Sequence, residues 1–333
     1  MGRIAEMKRT PSPKARIALL RQAVQTQPRS AALLCELAEA LAEVGEEREA
    51  ADIFRRAYLI QPQVWTVALT NGRLSPADAE KLRDYTRSLI ANGVAYSPVI
   101  AALAVGEAHL GNGTEVQRLV DYDRLFRSVM MNPPDGYDQT TFSRALAAEI
   151  KADLRFYDAP SNRAIRRGWR RSMTSSALPA YRAWVQAVRC EVDRYIARLP
   201  QISDHPFFTS RPADYVLDAW AVVSNGESFH LSHMHSRAWI SGVFYVIRPP
   251  ASHDTENRRG WLEVGPPEER YGVSTAHGWA ARTIAPEPGR LVLMPGYFFH
   301  ATHPMDVDEE RICIAFDVIP AELAGGHPHA MKT

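Results

Sequence analysis

From residue 15 to about residue 59, apolar side chains return every three or four positions among Ala, Leu, Glu and Arg, with one break at Val44-Gly45. That period predicts two helices folded back on each other. The same spacing predicts helical segments near 76–92, 97–109 and 114–130. It stops at the turn-forming residues Asn132-Pro133-Pro134-Asp135-Gly136, where a domain boundary is placed. The expected division is a helical domain over 1–131 and a second domain over 132–333. Two further helices are expected over 140–154 and 177–198. After Pro200 the pattern changes to short β-prone runs separated by turns: YVLDAWAVVS, WISGVFYVIRP, WLEVG, GRLVLMP and RICIAFDVIP. Strands without intervening helices predict an antiparallel sandwich or barrel, and the fold class expected is α+β.

The stretch AALLCELAEALAEVGEEREAADIFRRAYLIQP resembles a tetratricopeptide repeat. Leu34, Leu37, Leu41, Gly45, Ala50, Phe54, Ala57 and Pro62 stand at the usual positions of that pattern, and Pro28 lies one period before Pro62. Leu34 replaces the usual tryptophan and Ala38 the usual glycine. An ordinary amphipathic hairpin would show the same spacing.

Composition narrows the partners. Lys and Arg number 39 against 38 Asp and Glu, so no global charge favours nucleic acid or an anionic membrane. The three cysteines, Cys35, Cys190 and Cys313, form no CxxC pair, which argues against a disulfide scaffold and suits a reducing compartment. The N-terminus carries no apolar signal core, and a cytoplasmic protein with no membrane segment is expected. A local basic run, SNRAIRRGWRRSM, groups Arg163, Arg166, Arg167, Arg170 and Arg171 around Trp169, as either a lip for an acidic ligand or a solvated surface.

The candidate chemistry is in two segments. HMHSRAWISGVFYV places His233 and His235 two apart beside a β-prone run, and alternation along a strand would turn both imidazoles to one side, where they could hold a metal ion. Tyr245 would share that side by even spacing, whereas His230 would face away. In GRLVLMPGYFFHATHPMDVDEERICIAF, His300 follows a strand and a proline turn, and Arg311 opens the next strand. A guanidinium there could bind a carboxylate through two parallel hydrogen bonds or could pair with Glu309 or Glu310. His303, His327 and His329 are expected to stay outside the site.

Together these segments resemble the iron(II)- and 2-oxoglutarate-dependent oxygenases, narrowly the family that pairs an HxH followed by SGVYYV with a distal histidine and ERISISF. The resemblance spans roughly residues 135 to 320. It implies a double-stranded β-helix (jelly roll) with flanking helices, and Fe(II), 2-oxoglutarate and O2 as cofactor and cosubstrates. It implies His233, His235 and His300 as metal ligands, with Arg311 and Tyr245 on the 2-oxoglutarate. The implied reaction hydroxylates an unactivated C–H with release of succinate and CO2. His235 stands where most of the iron(II)- and 2-oxoglutarate-dependent oxygenases have Asp or Glu, leaving a three-histidine centre, a two-histidine centre completed by water, or a carboxylate such as Glu227 or Asp317. The expected substrate is a peptide or protein side chain of Asp, Asn or Pro type, docked on the N-terminal helices, because such repeats present grooves for peptides. A homodimer is left open. The alternatives are a cupin-type metal enzyme that does not use 2-oxoglutarate, and a non-catalytic tetratricopeptide-type adaptor.

Overall fold

The computed structural model describes residues 12–63, 74–152, 157–158, 165–166, 169–173, 178–200, 204–226 and 228–324. Helices α1 (Pro13–Thr26), α2 (Ala31–Glu43) and α3 (Glu47–Ile60) occupy the first periodic region. Ser12 and Ser30 cap α1 and α2 by accepting hydrogen bonds from the backbone N–H groups of Ala15 and Leu33. Gly45, at φ +84°, turns the chain between α2 and α3 in a conformation that disfavours a side chain. Leu34, Leu37 and Leu41 face Ala50, Phe54 and Ala57 across this hairpin, and all six are buried. Each buried leucine or phenylalanine contributes about 1.5–3 kcal/mol of transfer free energy.

Helices α4 (Pro76–Ala91) and α5 (Ser97–His109) follow as expected. Every residue from Ser97 to Ala108 is buried, so α5 has no solvent-facing side there, and its one charged residue in that stretch, Glu107, pairs with Arg87. The helix expected over 114–130 is instead divided into α6 (Gly113–Leu119), α7 (Tyr122–Leu125) and strand β1 (Arg127–Met130). Asp121 breaks the run by accepting hydrogen bonds from the N–H groups of Asp123 and Arg124. Residues 127–130 then find a better use for their backbone at a sheet edge, where tertiary pairing overrides helical spacing. Helices α8 (Gln139–Ala152) and α9 (Pro179–Arg198) stand close to the expected spans.

The remaining strands are β2 (Tyr157–Asp158), β3 (Ile165–Arg166), β4 (Trp169–Ser172), β5 (Tyr215–Gly226), β6 (Phe229–His233) and β7 (Ile240–Ile247), then β8 (Leu262–Val264), β9 (Arg282–Ile284), β10 (Arg290–Pro295), β11 (His300–Thr302) and β12 (Val307–Pro320). They form two antiparallel sheets, ordered β1-β10-β7-β12-β5-β4-β2 and β3-β6-β11-β8-β9. From β5 to β8 successive strands alternate between the sheets, and β9 to β12 return in mirror order. This is the double-stranded β-helix expected for the second half of the chain.

Trp184 of α9 packs against Phe244 and Phe316 on the outer face of the larger sheet, at ring-centroid distances of 6.3 and 5.7 Å. Gly242 leaves room for the Phe316 ring, which a Cβ would meet at 2.2 Å. The helical part joins the same core. Tyr58 donates to the Ser236 carbonyl at 2.5 Å, Ser97 to that of Ala238 at 2.5 Å, and Tyr297 to that of Leu119 at 2.6 Å. Strand β1, which precedes the boundary expected at 131, is an edge of the larger sheet. Among the described residues no helix is long and apolar enough to cross a membrane. The side chains of the arginine run at 163–171, Glu227, and His327 and His329 lie outside the described residues.

Candidate metal centre

Strand β6 ends at His233, and the chain then crosses from the smaller to the larger sheet. His235 therefore sits in the crossing and not on a strand, so alternation is not what brings it beside His233. Its backbone N–H donates to the Gly296 carbonyl at 2.9 Å, and its ring is fixed by Asp317. His300 opens β11 directly opposite His233 on β6, with ring centroids 4.3 Å apart. One nitrogen from each of His233, His235 and His300 lies within 4.8 Å of the others.

The hydrogen bonds assign the protons. His233 Nδ1 faces the Leu231 carbonyl at 2.7 Å, His300 Nδ1 the Phe298 carbonyl at 3.0 Å, and His235 Nδ1 an Asp317 carboxylate oxygen at 2.5 Å. Carbonyl and carboxylate oxygens only accept, so each Nδ1 carries a hydrogen, and in the neutral tautomer each Nε2 keeps its lone pair. The Nε2 atoms of His233 and His235 are nevertheless 3.4 Å apart. Two lone pairs directed at one spot repel unless a cation lies between them, and nitrogens each ~2.1 Å from one ion would be about 3.0–3.4 Å apart. Burial, reinforced by the neighbouring imidazoles, holds the His233 pKa well below its ordinary value, and burial with His235 holds that of His300 down at about 3. Both rings are neutral at pH 7, as metal ligation requires. The donor set fits a divalent first-row ion.

Register places the rest of the site. Ser224 lies opposite Arg311, Trp220 opposite Ala315, and Tyr245 opposite Cys313, so Arg311, Ala315 and Asp317 of β12 share a face with Trp220, Ser224 and Tyr245. That face is turned to the histidines, for Trp220 stacks on His235 at 5.7 Å. Tyr245 thus reaches the site from the opposite sheet, and not by even spacing from His233. Burial raises its phenol pKa, with the Arg311 charge working against that rise.

Arg311 is only 1 % exposed. Its Nη1 donates to the Gly260 carbonyl at 2.7 Å and its Nη2 to Ser224 Oγ at 3.2 Å, while its Nε has no partner among the described residues. The acidic neighbours are engaged elsewhere, Glu309 with the backbone N–H of Ala251 and Glu310 with Lys151. A guanidinium enclosed without a carboxylate is costly, and an anionic ligand would relieve that cost.

His230 is outside the triad, yet it does not face away from it. A bulge between His300 and Thr302 shifts the register, and the His230 ring stacks 5.9 Å from His233. His303 flanks the site, with its Nε2 3.0 Å from a Glu263 carboxylate oxygen. Asp317, named from sequence as a possible ligand, stands behind His235 and not with the three nitrogens. Gly296 and Ser224 were not expected to matter; only the packing around His235 and Arg311 reveals them.

Residues 218–317 match the family model described as "Putative 2OG-Fe(II) oxygenase". That segment contains His233, His235, His300, Tyr245 and Arg311. The cofactor and cosubstrate of that family are Fe(II) and 2-oxoglutarate. No curated protein matches the chain. Among solved structures it is similar to a Pseudomonas putida prolyl-4-hydroxylase, with 15% identity, a TM-score of 0.41, and coverage of 63% of this chain and 98% of that one. A prolyl hydroxylase from Trichoplax adhaerens, in complex with a hypoxia inducible factor peptide fragment, shows 15% identity and a TM-score of 0.43 over 65% of this chain and 92% of that one. HygX from Streptomyces hygroscopicus, with nickel and 2-oxoglutarate bound, shows 13% identity and a TM-score of 0.39 over 62% and 87%.

Proposed function

We propose that this protein is an Fe(II)- and 2-oxoglutarate-dependent oxygenase that hydroxylates a peptide or protein side chain of Asp, Asn or Pro type. The observation that carries this is the pairing, inside one jelly roll, of three converging histidines with a buried arginine that has no acidic partner among the described residues. His233, His235 and His300 would hold the ion on one side. Bound iron would supply the redox chemistry that couples dioxygen to decarboxylation of 2-oxoglutarate, yielding succinate, CO2 and a hydroxylated product. Arg311 would take the distal carboxylate of 2-oxoglutarate, and the Tyr245 hydroxyl would orient the same molecule. Trp220 and the buried Phe298 and Phe299 would limit water around the reacting groups.

Support for a peptide substrate comes from the tetratricopeptide-like hairpin, whose α3 residue Tyr58 bonds to Ser236, the neighbour of His235. A groove on these helices would deliver a chain segment close to the metal loop. In this division, residues 1–131 present the substrate and 132–333 perform the chemistry.

The test is turnover of 2-oxoglutarate by purified protein with Fe(II), ascorbate and oxygen, followed as succinate by NMR. Succinate should accumulate with wild type and not with His300→Ala, which should also lose metal. Iron binding without any succinate or 2-oxoglutarate binding would favour the cupin alternative.

A further inference from the structure

We propose that Asp317 is a positioning residue that supplies, through the His235 imidazole, the negative charge that a directly coordinated carboxylate would otherwise provide. The inference rests on the oxygenase reading only in its choice of metal ligands. Three neutral imidazoles leave a divalent ion with no compensating ligand charge. Among the described residues, His235 is the one of the three with an anion at Nδ1, since His233 and His300 donate from Nδ1 to the neutral carbonyls of Leu231 and Phe298.

Geometry favours charge transfer along this pair. Asp317 Oδ1 is 2.5 Å from His235 Nδ1, and the Ser241 hydroxyl donates to the same oxygen at 3.1 Å, which holds the carboxylate beside the ring. The side chains are 13% and 14% exposed, so the medium screens the interaction weakly. No Lys or Arg among the described residues neutralises Asp317; its single ion-pair partner is His235. A carboxylate accepting from Nδ1–H makes the opposite nitrogen a stronger donor and locks the ring's orientation. The HxH motif therefore lacks no anion. The charge has moved one residue outward, from the position two after His233 to the strand β12 residue behind it.

Two variants separate charge from packing. Asp317→Asn keeps an acceptor of the same shape and removes the charge, and Asp317→Ala removes both. Anaerobic competition titrations with Co(II) should show affinity lowered about 10- to 100-fold in Asp317→Asn and at least as much in Asp317→Ala. In Co(II)-loaded wild type, NMR should show three exchangeable, hyperfine-shifted Nδ1–H signals. The His235 signal should be lost in Asp317→Ala while those of His233 and His300 remain. Unchanged Co(II) affinity in both variants, or three retained signals in Asp317→Ala, would overturn the proposal. Wild type that binds no Co(II) would overturn it together with the metal centre, whereas wild type that binds Co(II) but no 2-oxoglutarate would defeat the oxygenase function alone.

Discussion

In the function proposed above, Arg311 and the three histidines have the central roles, and they make different demands on their surroundings. The histidines need only lone pairs and convergence, which β6, β11 and the crossing between the sheets provide. Arg311 has no acidic partner among the described residues. Arg311→Lys keeps a charge but loses the planar fork and its Nη bonds to Gly260 and Ser224. It should raise the dissociation constant for 2-oxoglutarate about 30- to 100-fold, or about 2–3 kcal/mol, while leaving metal affinity near wild type. Isothermal titration of both ligands checks this, and parallel losses of metal and 2-oxoglutarate would point to a collapsed site instead. The convergence of the three histidines was legible in the sequence because candidate metal ligands come from few residue types at restricted spacings. Asp317 was legible as an acid near the right place, but its role depends on an 82-residue separation closed only by folding.

The element that carries His235 is the crossing from β6 to β7, held from both sides. Gly296 accepts from His235 and donates to the Trp239 carbonyl at 2.8 Å, and a Cβ on Gly296 would meet the Ala238 carbonyl oxygen at 2.0 Å. Gly296→Ala should therefore cost about 2–3 kcal/mol of stability through overpacking and weaken metal binding by displacing His235. Chemical denaturation and a metal titration measure the two effects. A second element-scale prediction concerns the short helix Pro206–Thr209, whose cap is His205. Its Nδ1 accepts from Phe207 N–H and its Nε2 faces the Arg118 carbonyl, both at 3.1 Å, so the neutral ring is satisfied. Burial first, and the Arg118 charge second, lower its pKa from 6.5 to about 4. The unfolded chain thus binds a proton in that window that the folded protein refuses, and stability falls as pH drops from about 6.5 towards 4 by up to about 3 kcal/mol. His205→Gln should flatten this part of the urea-denaturation profile; an identical slope in both proteins would show that His205 does not contribute. Long elements such as α3, α8, α9, β5 and β12 were legible from period and propensity. The tiny strands β9 and β11, and β1 hidden in a helical pattern, were not, because their three or four residues are set by partners across the sheet.

At the scale of the whole molecule, the two halves read from sequence share one hydrophobic core that runs from Ile17 to Leu323. Buried hydrogen bonds cross between them, from Tyr297 to Leu119 and from Tyr195 to Leu125. Calorimetry of the full chain should therefore show one cooperative transition, with calorimetric and van't Hoff enthalpies in agreement. Two separated transitions would mean that the helical part unfolds on its own. The join was not visible in the sequence, since the turn residues at 132–136 mark a change of pattern and not a gap in packing. It also brings the hairpin of α2 and α3 against the crossing that carries His235, through the Tyr58 bond to Ser236. The most direct test of the central claim is an anaerobic titration of the metal-free protein with Fe(II) and then 2-oxoglutarate, watched for the visible charge-transfer band of the chelate. A band that saturates at one equivalent of each is the expected result; iron bound with no band at any 2-oxoglutarate concentration would contradict the assignment of this site as a 2-oxoglutarate oxygenase.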